Sequence, residues 1–514
     1  MLDRTTPLLK RLLEDGVPAG DSRLAGHTLQ HLTLALLRDG ACGLVGEVGG
    51  TQLDAARVAG VVESLDAAGV VPGDVVVVKA RNELDGVAAI LAVWALGCAL
   101  CPVDPTGAPE VHAAIVEQSG AVAIVAADGT VERVERTQDT PPLITFRRPR
   151  VATGDDLGLI IFTSGSSGAP KGVLLTHSNV LAALRAITAY LEIGPPDRIL
   201  CIPPMFLDYG VYQVLFVLFA RSTLFVGSGI TNPLQILDMI KSCRPTIVPV
   251  VPALASGLAR ILNTFSREIE GVRLVSNTGG HLAPATVTAL QRAFPGVQVV
   301  PMYGLTESKR ALFLPAELVA AKPGSVGGPM PGLDARVVVR DEDGSLVEAP
   351  DDVEGELYVR GASVMQGYHS AAVTGGAQLV PGHYRDDNWL ATGDLFVRDA
   401  DGCLFFRGRS KALIKQRGYC LYPRDLEAAA EATDGIASSV VVGRTEADGD
   451  ESAVLFAVSP RVGDEAAEAA MREGILARLH PSIQPRIVRF LAEWPASPVG
   501  KIDLGQLQRM AQEA

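Results

Sequence analysis

The residues with the most chemistry in them lie in one run, LIIFTSGSSGAPKGV, at positions 159–173. An apolar stretch with the look of a β-strand leads straight into Thr163, Ser164, Gly165, Ser166, Ser167 and Gly168, and Pro170 and Lys171 follow. Glycines allow positive φ, so that successive backbone N–H groups can converge on an anion. Four hydroxyls add donors and Lys171 adds a positive charge, which together suit a polyphosphate. The run does not fit the GxxxxGK[ST] pattern of a Walker A loop. A merely flexible Ser/Gly turn is the competing reading, and the strand before the loop and the lysine after it argue against it.

The elements that must hold this loop are those of a large α/β protein. At 514 residues, and with roughly one domain per 150 residues, about three structural parts are expected. Hydrophobic residues make up 48% and charged residues 20%, which excludes disorder. Strand-like runs alternate with helical patterns over most of the first 330 residues: 74–80 before a helix at 86–97, 121–126 after a helix near 110–119, then 246–251, a helix after Pro252, 274–276 and 297–301. This is the pattern of layered, largely parallel sheets. From about 325 to 410 short strands (335–339, 355–360, 403–407) between Gly, Pro and Asp turns predict a small β unit. A compact α+β unit follows, with helices at 425–432 and 465–479 and strands at 438–442 and 452–457.

Charge and composition exclude several functions. The net charge of −13 and the lack of a basic face speak against a nucleic-acid partner. The longest apolar stretch, 86–100, is shorter than the ~20 residues a membrane span needs, so no membrane association is expected. The N-terminus has no signal-peptide pattern, and a cytoplasmic location follows as the expectation. Cys98 and Cys101 form an isolated CxxC among apolar neighbours, read as two buried side chains rather than a redox or metal pair.

Further motifs in fixed order give the loop a family. NTGGHL (277–282), YGLTES (303–308), ATGDL (391–395), GRSKALIK (408–415) and SPVGKID (497–503), taken with TSGSSGAPKG, resemble the adenylate-forming superfamily of acyl-CoA synthetases, luciferases and peptide-synthetase adenylation domains. The resemblance covers the chain from about residue 30 onward. It implies a large N-terminal domain (1–408) of two α/β subdomains plus a small β unit, a hinge at 409–411 centred on Lys411, and a small mobile α+β C-terminal domain (412–514). It also implies the substrates ATP and a small carboxylic acid, with Mg²⁺ as cofactor. Residues 163–168 and Lys171 would hold the phosphates, and Gly280, His281, Tyr303 and Gly304 would surround the adenine. Asp394 and Arg409 would hold the ribose, with Lys415 at the start of the mobile domain. Thr306 would donate to the α-phosphate, Glu307 would hold the Mg²⁺, a hard cation that prefers oxygen, and Lys501 would neutralise the carboxylate and α-phosphate as they meet.

The same resemblance places the acid pocket. PMFLDYGVYQ (204–213) is similar to the segment where amino-acid adenylation domains carry an Asp for the substrate amine, and Asp208 falls there. Leu207 stands where CoA ligases often have a His or an aromatic gate. Tyr209, Tyr212, Pro249, Ser276, Thr278, Met302 and Arg310 would form a small, polar wall. Lys309 and Arg310 resemble a basic pair that can hold a second, unactivated carboxylate. An amino substrate and a second-carboxylate substrate both remain open. For Asp208 itself, pairing with Arg310 or capping an apolar helix at 211–219 are the competing roles.

The expected reaction is adenylation of an amino acid, amino-dicarboxylate or aryl acid, then transfer to CoA or to the phosphopantetheine of a carrier protein acting in trans. Three alternatives stand beside it: a diazotase-like activation of nitrite for an aryl amine, a luciferase-like oxygenase, and a non-catalytic nucleotide-binding scaffold.

Overall fold

The computed structural model describes residues 7–15, 28–135, 151–164, 170–227, 233–264, 268–280, 282–369, 377–382, 387–409, 414–416, 419–421, 423–446, 451–495 and 502–513. The α/β expectation holds. The first large sheet has seven strands in the order 367–368, 170–176, 157–164, 99–103, 75–79, 123–125 and 131–133. Its centre is parallel, and the flanking pairs are antiparallel. The second has eight strands in the order 45–47, 223–226, 198–200, 247–250, 274–277, 298–305, 309–313 and 328–329. It is parallel up to Gln298–Leu305 and antiparallel beyond.

Helices between the two sheets tie them together. Leu84–Ala95 follows an almost wholly apolar sequence and buries every described side chain from Leu84 to Ala95 except Asp85, touching strands of both sheets. His177–Tyr190 also touches strands of both sheets and starts on a capping box, with Thr176 and Asn179 each satisfying the other's backbone N–H. Asp208–Ala220 packs on His177–Tyr190 and Leu29–Arg38. Burial of these faces is the main stabilising force. Cys98 and Cys101 are fully buried, with their thiols pushed up to about 12 by burial. This matches the structural reading of that pair. Among the described residues no helix is long and apolar enough to cross a membrane.

A six-stranded antiparallel sheet follows, built from 346–348, 333–340, 355–361, 388–398, 378–381 and 404–409. Residues 414–512 form a further α+β unit: a two-stranded ribbon (414–416 with 419–421), a sheet of 438–445, 451–458 and 487–491, and helices Pro423–Glu431, Glu465–Ala477 and Leu504–Gln512. Its apolar clusters are its own, one around Leu426, Leu455 and Ile475 and another around Phe456 and Leu507. Arg407 spans the seam, 2.9 Å from Asp425 and 3.6 Å from Glu354.

One close approach fixes the helix that carries Asp208. A Cβ on Gly210 would lie 2.1 Å from the Pro204 carbonyl oxygen. Gly210→Ala is therefore expected to cost about 1–3 kcal/mol, as overpacking against backbone does, read as a lowered thermal midpoint. An unchanged midpoint would mean that residues 204–208 relax freely.

Candidate active site

The site grows from one hairpin. Strands Gln298–Leu305 and Lys309–Phe313 pair antiparallel through the tight turn Thr306–Glu307–Ser308, closed by the Ser308 N–H donating to the Leu305 carbonyl at 3.2 Å. Lys309 takes φ +64°, the left-handed position that ends a three-residue hairpin loop and favours glycine. Gly304 makes the turn fit, since a Cβ there would lie 1.8 Å from the Lys309 carbonyl oxygen. Met302, Tyr303, Thr306, Glu307, Lys309 and Arg310 thus leave one rigid element in different directions.

At the tip, Glu307 meets the phosphate-loop strand. The Tyr368 hydroxyl donates to Glu307 Oε1 at 2.5 Å, and the Met365 N–H donates to the Glu307 carbonyl at 2.8 Å. Tyr368 pairs with Val173 on the strand Pro170–Thr176, and the Lys171 ammonium lies 6.0 Å from the Tyr368 ring centroid. Lys171 is buried, at 5% exposure. The strands 157–164 and 170–176 pair antiparallel on either side of segment 165–169, with Thr163 opposite Lys171 and Ser164 opposite Pro170. The Glu307 carboxylate is half-buried and makes no ion pair among the described residues. Such an acceptor-only group suits a hard cation that takes its other oxygens from phosphates and water. Among the described residues no cluster of three metal-ligating side chains forms.

One strand back, the Tyr303 hydroxyl donates to Asp394 Oδ2 at 2.6 Å, while Arg409 lies 3.3 Å from Asp394 Oδ1 and is directly opposite it in the sheet. Burial raises the Asp394 pKa, against the pull of Tyr303 and Arg409. Burial, and then the Asp394 charge, raises Tyr303 further, so the proton stays on the phenol. The Tyr303 ring packs against Phe396 and Phe406. Beside it is a cavity of about 280 Å³ lined in part by Asn277, Gly280, Met302 and Val326.

The third cluster lies on the other strand of the hairpin. Arg310 is buried among three rings, its guanidinium carbon 5.0 Å from the Tyr209 centroid, 5.6 Å from Tyr212 and 5.8 Å from Phe216. The Tyr209 hydroxyl donates to the Ser276 carbonyl at 2.9 Å, and burial pushes its pKa up to about 12. Tyr190 stacks on Phe313 and donates to Met302 Sδ at 3.0 Å. Asp208 is the first residue of its helix, with Leu207 as the extended N-cap and no side-chain cap bond. Neither role suggested for it holds: it does not cap the helix, and its partner is Lys309, 3.7 Å away, rather than Arg310. The reason is that the helix starts earlier than its apolar run. Asn82 fixes that start, accepting from the Met205 N–H at 2.8 Å and donating to the Pro203 carbonyl at 3.0 Å.

Thr306 and Thr278 are half-buried beside these groups. Gly165, Ser166, Ser167, Gly168, His281, Lys411 and Lys501 lie outside the described residues, as do the side chains of Ser164 and Lys415. Sequence reasoning missed Tyr368, Tyr190, Asn82 and Phe216. Of these only Phe216 left a signal, the i, i+3, i+7 aromatic spacing from Tyr209 through Tyr212.

Comparison with known proteins gives the family of the chain. A 3-hydroxybenzoate–CoA ligase from Aromatoleum sp. is 30% identical over 70% of this chain and 67% of its own length. A sulfoacetate–CoA ligase from Cupriavidus necator is 32% identical over 68% of this chain and 66% of its own. The chain thus spans about two thirds of these relatives. In fold it is similar to MatB from Rhodopseudomonas palustris, determined with ATP bound, at a TM-score of 0.75 and 24% identity over 95% of this chain and 99% of that one. The family model described as AMP-binding enzyme matches residues 52–369, well over half of the sequence, and the chain belongs to that family of adenylate-forming enzymes.

Proposed function

We propose that the chain is an AMP-forming acid–thiol ligase. The carboxylate of a small polar acid attacks the α-phosphate of ATP, releasing pyrophosphate and leaving an acyl-adenylate. A thiol of CoA or of a carrier protein then takes the acyl group and releases AMP. The observation that carries this reading is the single hairpin that presents Tyr303 to Asp394, Glu307 to Tyr368 (whose ring lies near Lys171), Lys309 to Asp208 and Arg310 to the aromatic rings. Nucleotide, phosphates and acid would then meet at fixed separations, which is how positioning lowers a barrier. The relatives named for 3-hydroxybenzoate and sulfoacetate support a small polar acid.

In this reading the loop 163–168 and Lys171 hold the β- and γ-phosphates, Thr306 donates to the α-phosphate, and Asp394 with Arg409 accepts and orders the ribose. Gly280, His281, Tyr303 and Gly304 border the base, next to the cavity at Asn277 and Met302. Glu307, oriented by Tyr368, would hold Mg²⁺, which screens the phosphate charge. Lys501 bridges the carboxylate and the α-phosphate. The N-terminal domain (1–408) binds both substrates, and the C-terminal domain (412–514) turns about Lys411 between the half-reactions, carrying Lys415 with it and breaking the Arg407–Asp425 pair.

Three outcomes test this. Lys501→Ala should slow acyl-adenylate formation by roughly 10²-fold, on the order of 3 kcal/mol, as for loss of a transition-state charge contact. Transfer from supplied acyl-adenylate should be largely spared, and equal loss of both steps would refute the assignment. Tyr368→Phe deletes a hydrogen bond to a carboxylate, worth about 1.5–3 kcal/mol. It should raise the Mg²⁺ concentration needed for half-maximal pyrophosphate exchange, and an unshifted Mg²⁺ curve counts against Glu307 as the ligand. Lys411→Pro fixes φ near about −65°. It should spare pyrophosphate exchange yet cut thioester formation by roughly tenfold or more, as expected where a hinge gates one step. A folded variant competent in both steps would place the pivot elsewhere.

A further inference from the structure

Resting on the ligase reading, we infer that the acid pocket is built for a substrate with a second anionic group, a carboxylate or sulfonate. Lys309 and Arg310 receive that group, and Asp208 holds Lys309 in place and does not bind an amine.

Three independent features point this way. The first is unsatisfied charge. Lys309 and Arg310 are 4% and 5% exposed, and Lys309 Nζ and Arg310 Nε have no hydrogen-bond partner among the described residues. The preceding residue, Ser308, is fully buried, and its Oγ is also without a partner. Buried cations are costly unless paired and hydrogen-bonded, and orphaned donors on three consecutive residues mark a place where acceptors are missing. The Asp208 carboxylate, 3.7 Å from Lys309 Nζ, is within ion-pair reach but too far for a hydrogen bond.

The second is the backbone. Lys309 is one of five non-glycine residues with positive φ among those described. A lysine in a position that favours glycine is strained and persists only where the surroundings hold it. Here that position sends its ammonium into the interior beside Asp208. Glycine would serve the turn at least as well and would leave no buried charge.

The third is the charge balance. Lys309 faces Asp208 alone, because the Glu307 carboxylate accepts from the Tyr368 hydroxyl, and Arg310 lies among rings with no carboxylate paired to it among the described residues. An ammonium brought to Asp208 would add a second cation within a few ångströms of Lys309 Nζ. An anion would instead supply the acceptors that Lys309 Nζ and Arg310 Nε lack, next to the partly exposed Asp208 side chain, 28% accessible. The Tyr209, Tyr212 and Phe216 rings hold the Arg310 guanidinium by cation–π contact, and its Nε–H has no acceptor among the described residues.

The test is ATP-dependent pyrophosphate release by the full chain over two matched acid series: propionate, succinate, 3-sulfopropionate and β-alanine, and benzoate, isophthalate, 3-sulfobenzoate and 3-aminobenzoate. In at least one series the dianionic members should exceed the unsubstituted acid by roughly tenfold or more in kcat/KM, the scale of a charge-assisted contact. Lys309→Met and Arg310→Met should flatten that preference, chiefly through KM. Asp208→Asn should leave dianions preferred. A preference for unsubstituted or amino acids overturns the inference, as does an unaltered profile in folded Lys309→Met and Arg310→Met proteins. If both of those fail to fold, Asp208→Asn decides, because an amine site would lose its amino-acid selectivity with that change. If no acid releases pyrophosphate, the ligase reading fails and binding decides the pocket. A thermal midpoint raised by succinate or isophthalate and not by propionate or benzoate supports it, and no difference overturns it.

Discussion

The contact on which the rest depends is the approach of the Lys309 carbonyl to Gly304, where no Cβ can fit. It closes the 298–313 hairpin tightly enough for Glu307 to stand at a turn only three residues long. The two strands below then diverge in purpose, Tyr303 toward Asp394 and Arg310 toward the aromatic cage. With a looser turn the three clusters would each have to be positioned separately, by elements from different sheets. Carrying them on one edge of the eight-stranded sheet replaces three positioning problems with one.

The electrostatics follow from that compactness. The chain is acidic overall, at −13, yet the hairpin places two buried cations within a short span of two carboxylates. Their low-dielectric surroundings make each pairing stronger than it would be in water and each unpaired group costlier. Tyr368 and Asn82 have a matching role from outside the hairpin. One fixes the carboxylate at its tip, and the other ties the start of the Asp208 helix to the loop after Lys79.

Much of this was legible in the sequence. The α/β alternation predicted the sheets because parallel strands, buried on both faces, read as short apolar runs. The six-stranded antiparallel sheet was visible through its turns. The errors lay where local pattern yields to tertiary geometry. The strand expected at 297–301 runs on to Leu305 because it pairs with 309–313, and the turn residues Thr306, Glu307 and Ser308 carry no Gly or Pro to announce it. The helix expected from Val211 begins at Asp208, since Asn82, 119–123 residues away along the chain, fixes the loop before it. Tyr368 sits in a strand of two residues, too short for any periodicity. The basic pair was legible as a pair; its burial was not, because a hairpin with one left-handed lysine turns inward what looks like a solvated surface.

The split between the hairpin's two strands also bears on how such a protein changes over generations. Gly304 is sterically locked, so mutational paths through that position are closed. Lys309 and Arg310 sit in the opposite strand, and their side chains, unlike the Lys309 carbonyl, take no part in that lock. On the proposed ligase reading, substitutions there would retune which acid is accepted while the nucleotide half of the site keeps its geometry. A lineage built on this hairpin can therefore explore new substrates a residue at a time without first surrendering its ability to handle ATP.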